Sequence, residues 1–432
     1  MTQLIEGTRL ITDSNNEIII EGKLGAGGSG CVYLATYKGE KKAVKVFYTK
    51  GYETEIQRRK LDRLFRMNFP DGRFVWPLDL IVSGDIVGYV MDLVPPEYCS
   101  MGDILRGKAK FSSFRAVATA AIEIAAAMRC LHAMGFIYPD YNTENIFIDP
   151  NRGKVRICDT EQITVFGKQS NIMGTPRFMA PEIVRGEREP STQSERFSLA
   201  VIIFLLLTMT HPLEGKRSLS IFLTPEMELQ LYGTDPVFIL DPDDDRNRPV
   251  TGVHVAIEKI WPELPSYMKD MFIRQFSREV MMHPEKRATE GEWLDLLMRF
   301  YSEIVPCPSC GGDSFGYGSD ENNPVCSFCG SPLPIQRFAR SKRIDYLIPL
   351  IPRSVIRRAQ LGVSNLDAAD APVFSVLSHK SDPSLLGLRN ITNEDVQVQR
   401  HNSPPVVAKP GDVIKAAPGT IVTAFGNTLE IV

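Results

Sequence analysis

The chain has 432 residues, 43% apolar and 23% charged, with a formal net charge of -3. That length exceeds what one hydrophobic core fills and, at roughly 100 to 200 residues per domain, implies two to four domains. The small net charge argues against nucleic acid or an anionic membrane surface as a main partner, and the opening MTQLIEGTRL lacks the basic and then apolar pattern of a secretory signal, so a cytoplasmic protein is expected.

The first segment with chemistry in it is LGAGGSGCVYLATYKGEKKAVKVF, Leu24 to Phe47. Apolar alternation on both sides of a glycine cluster predicts a strand, a tight turn and further strands. Gly25, Gly27 and Gly30 fit G-x-G-x-x-G, and Val32 stands where its side chain would cover a flat base. A dinucleotide fold needs a helix directly after the glycines; the strand-like CVYLAT favours a lid over nucleotide phosphates. Ala43-Val44-Lys45 then puts a lysine on an apolar strand, where burial is tolerated only beside opposite charge such as phosphate. A helix follows over YETEIQRRKLDRLF. At about 100° per residue Glu53 lies nearer the Leu61 and Leu64 stripe than Glu55 does, so Glu53 is expected to face Lys45.

Farther on, Tyr89 to Val94 (YVMDLV) resembles the hinge of protein kinases, a resemblance that implies backbone groups around Asp92 and Leu93 bonding adenine with Met91 at the back of the pocket. LHAMGFIYPDYNTENIFIDPNRGKVRICD, from Leu131 to Asp159, contains Asp140 and Asn145 in D-x-x-x-x-N spacing and ends a strand-like VRIC on Asp159. GTPRFMAPE closes at Glu182, SERFSLA opens a helix that runs into the apolar Leu199 to Leu207, and HPEKRAT supplies Arg287. The apolar run is less than half the ~20 residues needed to cross a bilayer and is expected to be a buried core helix.

Taken in this order, the motifs resemble those of protein kinases. The resemblance implies an α+β bilobal fold over 1–301, with a β-rich N-lobe at about 18–94 and a helical C-lobe at about 95–301. It implies ATP with Mg2+ or Mn2+ as cofactors. Lys45 would contact phosphate, and a helix glutamate would pair with Lys45. Asp140 would orient the attacking hydroxyl, and Asn145 and Asp159 would hold the metal. Glu182 and Arg287 would brace the large lobe, and Thr175 favours serine or threonine as the acceptor. The sequence departs from the family where H-R-D reads Tyr138-Pro139-Asp140, where Asn142 replaces a lysine, and where D-F-G reads Asp159-Thr160-Glu161. These departures leave a slow kinase and an ATP-binding pseudokinase scaffold both open.

Beyond the kinase-like region, 302–334 holds Cys307-x-x-Cys310, fifteen intervening residues and Cys326-x-x-Cys329, with glycine after each second cysteine. Two such turns present four thiolates to one structural Zn2+ and leave no open coordination position. Cys31, Cys99, Cys130 and Cys158 are scattered and read as small buried apolar residues. A basic connector is expected over 335–360. Short apolar runs separated by Gly, Pro and Asn turns then predict a small β-sandwich over 361–432, whose LRNIT, PGDVI and PGTIVTAFGNTLEIV resemble the second half of a forkhead-associated domain. VWPLDLI, YPDYNTENIF, ICDTEQ, RFMAPEIVRG and HPLEGK further resemble the bacterial kinases of the TerY-phosphorylation triad. That resemblance implies a stress-linked system. Its protein partners would be a von Willebrand A protein, the expected substrate, and a metal-dependent phosphatase, with no nucleic-acid or membrane partner.

Overall fold

The computed structural model describes residues 4–49, 52–67, 69, 71–83, 86–165, 174–219, 222–315, 325–326, 328–333, 335, 337–344, 346–362, 371–400 and 403–432. The chain divides into two compact units: Met1–Ser112, Glu123–Arg248 and Gln275–Ala288 in one, and Ser113–Ile122, Pro249–Arg274 and Thr289–Val432 in the other.

The first unit opens with strands β1 (Arg9–Ile11), β2 (Glu17–Ala26), β3 (Gly30–Tyr37) and β4 (Glu40–Phe47), helix α1 (Tyr52–Arg66), and strands β5 (Pro77–Ser83) and β6 (Ile86–Met91). The strands form one antiparallel sheet in the order β1-β2-β3-β4-β6-β5. The two-residue period sends Ile18, Ile20, Tyr33, Ala35, Val44 and Val90 to one face. Ala43, Phe47, Leu80, Val87, Tyr89 and Met91 lie on the other, with Leu61 of α1. Helix α2 (Phe114–Ala133) is the one helix among the described residues long and apolar enough to cross a membrane, and more than half of that stretch is buried inside the protein. Helix α3 (Thr192–Thr208) carries the LAVIIFLLL run, and every side chain from Phe197 to Thr208 is buried. It starts at a reciprocal Ser191–Ser194 capping box and stops at Met209, whose φ of 56° is left-handed. Arg287 donates to both carboxylate oxygens of Glu182 at 2.8 and 2.7 Å in the interior.

In the second unit, Phe114, Phe300 and Phe315 stack edge to edge or tilted at 5.0 to 5.8 Å. This ring cluster explains why the first residues of α2 and the helix Glu290–Glu303 group with the strand Asp313–Phe315, which follows the Cys307 and Cys310 turn. The boundary expected at residue 301 therefore falls inside a packed unit.

The strands from Phe338 onward are β7 (Phe338–Ser341), β8 (Leu347–Pro349), β9 (Val355–Arg357), β10 (Pro372–Ser378), β11 (Leu386–Asn390), β12 (Val396–Gln399), β13 (Val406–Ala408), β14 (Val413–Lys415), β15 (Ile421–Ala424) and β16 (Asn427–Ile431). They make two sheets, β8-β7-β16-β15-β12-β13 and β9-β10-β11-β14, around a core that includes Phe374, Leu388, Val398, Val422 and Leu429. Residues 335–360 are thus no connector. β7 pairs with the last strand β16, and β9 pairs with β10. Arg340 and Arg357 stand next to buried Ala339 and Ile356 in these strands, a strand pattern read too coarsely as a basic run.

Candidate active site

The β2–β3 turn carries the glycine cluster. Its backbone closes through Gly27 N–H to the Gly30 carbonyl at 2.9 Å, and no helix follows. A Cβ added at Gly25, Gly27 or Gly28 would meet no protein atom within 4 Å, and none of the three has positive φ. The protein's own packing therefore does not require glycine there, whereas close approach of the backbone to a phosphate does. Gly30 differs: a Cβ there would collide with the Val46 carbonyl oxygen, so its glycine serves the close β3–β4 pairing. Below the turn, Ala43 pairs directly with Met91, and Val32 and Leu93 pack partly buried on the same cluster, forming an apolar slot for a flat ring. Lys42 bonds the Asp92 carboxylate at 2.9 Å, turning that side chain outward.

Asp140 and Asn145 lie on the loop between α2 and the hairpin of Ile146–Ile148 with Val155–Ile157. Asn145 Nδ2 donates to the Asp140 carbonyl at 3.4 Å, and Cys158 N–H donates to the Asn145 carbonyl at 2.9 Å. These bonds bring Asn145 beside Asp159. Tyr138, fully buried at the histidine position of the family motif, donates its hydroxyl to the Cys158 carbonyl at 3.0 Å and fixes the same strand end. Asp159 itself is left-handed, with φ 55° and ψ 39°, and begins a turn over Thr160–Gln162. Lys45 Nζ bonds Asp159 Oδ1 at 2.7 Å.

The electrostatics follow from this crowding. Burial, then the charges of Asp159 and Glu161, pushes the Asp140 carboxyl above the ordinary aspartate range. Burial and Glu161 likewise raise Asp159 against the pull of Lys45. Burial alone would lower the Lys45 ammonium, but Glu161 and Asp159 outweigh it and hold the lysine more firmly charged. The carboxylates of Asp140, Asp159 and Glu161 outnumber the ammonium groups of Lys45 and Lys60 beside them, and the excess of negative charge is the condition under which a hard divalent cation fits. Opposite Pro139, a Cβ on Gly174 would lie 2.9 Å from the proline carbonyl oxygen, so this glycine lets the segment bearing Thr175 pass close to the loop of Asp140.

Residues 18–289, more than half of the chain, match the family model described as a protein kinase domain. The chain belongs to the protein kinase domain family. Relatives include protein kinase C delta type of Rattus norvegicus, 26% identical over 204 residues, 44% of this chain and 29% of that protein. Serine/threonine-protein kinase CTR1 of Arabidopsis thaliana is 26% identical over 208 residues, 45% of this chain and 24% of that protein. Serine/threonine-protein kinase mos of Patiria pectinifera is 24% identical over 213 residues, 47% of this chain and 60% of that protein. The chain spans only about a quarter to three fifths of these curated relatives.

Within the kinase domain one expectation is overturned. Glu53 is exposed on the first turn of α1 and does not meet Lys45, and Glu55 is exposed and ion-paired with Arg59 at 2.8 Å. Glu53 has the right angle about the helix but stands eight residues before Leu61, about 12 Å along the axis at 1.5 Å per residue. The second partner of Lys45 is Glu161, whose Oε1 lies 2.5 Å from Nζ and whose Oε2 accepts from the Tyr89 hydroxyl at 2.8 Å. Glu161 entered the reading of the sequence only as a departure from D-F-G. The signal that marks it is an acidic residue at a glycine position two residues past Asp159, in a chain whose helix has Gln57 and Lys60, not glutamate, near its buried face.

A separate cluster lies in the second unit. The sulfurs of Cys307, Cys310, Cys326 and Cys329 all fall within 4.8 Å of one another, with Cys307 to Cys329 at 3.7 Å and Cys310 to Cys326 at 3.6 Å. A tetrahedron with Zn–S bonds of about 2.3 Å has edges of about 3.8 Å. Both turns have the same build. Ser309 N–H points at Cys307 Sγ and Phe328 N–H at Cys326 Sγ, each at 3.4 Å. Gly311 and Gly330 take φ of 73° and 70°, a conformation that a side chain would strain.

Proposed function

We propose that this protein is an ATP-dependent kinase that transfers the γ-phosphoryl group to a serine or threonine of a protein. The observation that carries this reading is the convergence of Lys45, on the sheet that bears the glycine turn, with Asp140, Asn145 and left-handed Asp159. Magnesium would supply charge neutralisation along the phosphates. Asp159 and Asn145 would hold that ion, Lys45 would orient the phosphate oxygens, and the Gly25–Gly27 backbone would cover them. Asp140, with its raised pKa, would align the incoming hydroxyl and take up its proton.

Asn142 favours the scaffold alternative. Its side chain accepts the Glu144 N–H at 3.0 Å, so no cation stands two residues after Asp140 to meet the phosphate being transferred. Incorporation of labelled γ-phosphate into the chain or a protein substrate, with Asp140→Ala and Asp159→Ala as comparisons, decides between the two. Labelling by the native protein that both substitutions abolish establishes the kinase. Nucleotide binding without labelling in magnesium or manganese leaves the scaffold.

The motif resemblance supports a narrower proposal: a cytoplasmic kinase of the TerY-phosphorylation triad type, acting on a von Willebrand A protein and opposed by a metal-dependent phosphatase. The same labelling assay run on those two proteins tests it. We also propose that the four cysteines hold one structural Zn2+ and that the β-sandwich, which resembles a forkhead-associated domain, is an interaction module. Elemental analysis should find one zinc per chain, and Cys310→Ser should lose it.

A further inference from the structure

We propose that Glu161 is the positioning residue for Lys45, doing from the metal-binding turn what a kinase ordinarily asks of a glutamate on the helix after the lysine strand. This inference rests on the kinase reading above.

The geometry is built from three directions. Lys45 on β4 and Tyr89 on β6 are direct cross-strand partners, so their side chains stand side by side. Glu161 bridges them with one carboxylate oxygen each, and it is 1% exposed. A carboxylate this deep is unfavourable unless its charge is met, and Lys45 meets it. The turn carrying Glu161 is itself pinned: Gln162 N–H returns to the Asp159 carbonyl at 3.0 Å, and the buried Thr160 hydroxyl donates to the Val75 carbonyl at 3.0 Å. Helix α1 offers no substitute. The residue it sends toward this turn is Lys60, whose Nζ lies 3.4 Å from Gln162 Oε1 and whose pKa is lowered by burial and by the like charge of Lys45, against the pull of Glu161. Consequently the acid that steadies Lys45 and the acid that would hold the metal lie two residues apart on one turn. Lys45 can be held in its working position without any movement of α1.

The full-length protein tests this with Glu161→Gln, which keeps size and removes charge, and Glu53→Gln. Two readouts are used: MgATP affinity by calorimetry, which needs no turnover, and the separate kcat and KM of phosphoryl transfer. Glu161→Gln is expected to lower kcat on the order of 10²-fold and to weaken MgATP binding, while Glu53→Gln stays within about twofold of the native protein. A purely structural glutamate would lower only the folded, titratable fraction and leave the affinity of that fraction intact, and that result overturns the proposal. So does the reverse pattern, with Glu53→Gln impaired and Glu161→Gln normal. If Glu161→Gln does not fold, Tyr89→Phe removes only the brace on Oε2. A raised KM for ATP then supports the proposal, and native values overturn it. If the native protein binds MgATP but transfers nothing, the kinase reading falls, and the affinities of the two glutamine variants still decide the role of Glu161.

Discussion

At the scale of single residues, the side chains with the strongest demands are buried groups whose every polar atom has a fixed partner. His211, fully buried, holds its Nε2 2.7 Å from the Arg177 carbonyl oxygen and accepts the Leu213 N–H on Nδ1 at 3.1 Å. The first nitrogen must donate and the second must accept, so the ring is neutral, and burial lowers its pKa to about 4. The unfolded chain binds that proton near pH 6.5, so the stability is whole above that pH and is lost as the pH falls toward 4. Urea unfolding should show the native protein losing about 2 kcal/mol between pH ~6.5 and pH ~5 relative to His211→Gln. Equal slopes for the two proteins would refute the neutral ring. Sequence reading had no access to this, because the Arg177 carbonyl is 34 positions away. That Asp140, Asn145 and Asp159 lie near one another follows from their short spacing along the chain, and a charge-matched Lys45 follows from a lysine set in an apolar strand. Glu161 escaped because its partners, Lys45 and Tyr89, are 116 and 72 positions away.

At the scale of elements, the glycine turn separates two reasons for the same residue type. Gly25→Ala or Gly27→Ala adds a methyl that no protein atom contests, at a backbone angle that alanine tolerates. Stability should hold or rise slightly, while MgATP affinity falls about tenfold. Gly30→Ala forces the β3 and β4 backbones apart and should cost about 1–3 kcal/mol of stability. Thermal melts with and without MgATP distinguish the two classes, and a common response of all three variants would show that the turn does not face the nucleotide. The strand and turn here were readable from period-two alternation. α1 was readable as a helix but not in its depth. The wheel gives an angle and says nothing about which turn of the helix reaches the core, and only Leu61 and Leu64 of this helix are buried.

At the scale of the whole molecule, the sandwich encloses its own core. All the buried side chains of its cluster, from Ala339 to Ile431, come from its ten strands and the turns between them. A fragment of residues 337–432 should therefore fold alone, with a β-type circular dichroism spectrum and one cooperative melt. A fragment that stays unfolded would show that the core borrows from elsewhere. The β-rich, helical and β-rich order of the chain was legible from composition and periodicity. The start of the last domain was missed by some two dozen residues because β7 closes a sheet with β16, and that pairing is visible only in three dimensions.

The pinned turn after Asp159 also bears on which small molecules could occupy the nucleotide cleft. A compound that needs the Asp159 segment swung outward must break the Thr160–Val75 bond and pull Glu161 away from both Lys45 and Tyr89, leaving a buried ammonium and a phenol unmatched beside an apolar wall. Inhibitor chemistry that leaves the segment in place and reaches only the slot of Val32, Ala43, Met91 and Leu93 meets no such resistance, and a screen of this protein should be won by that class.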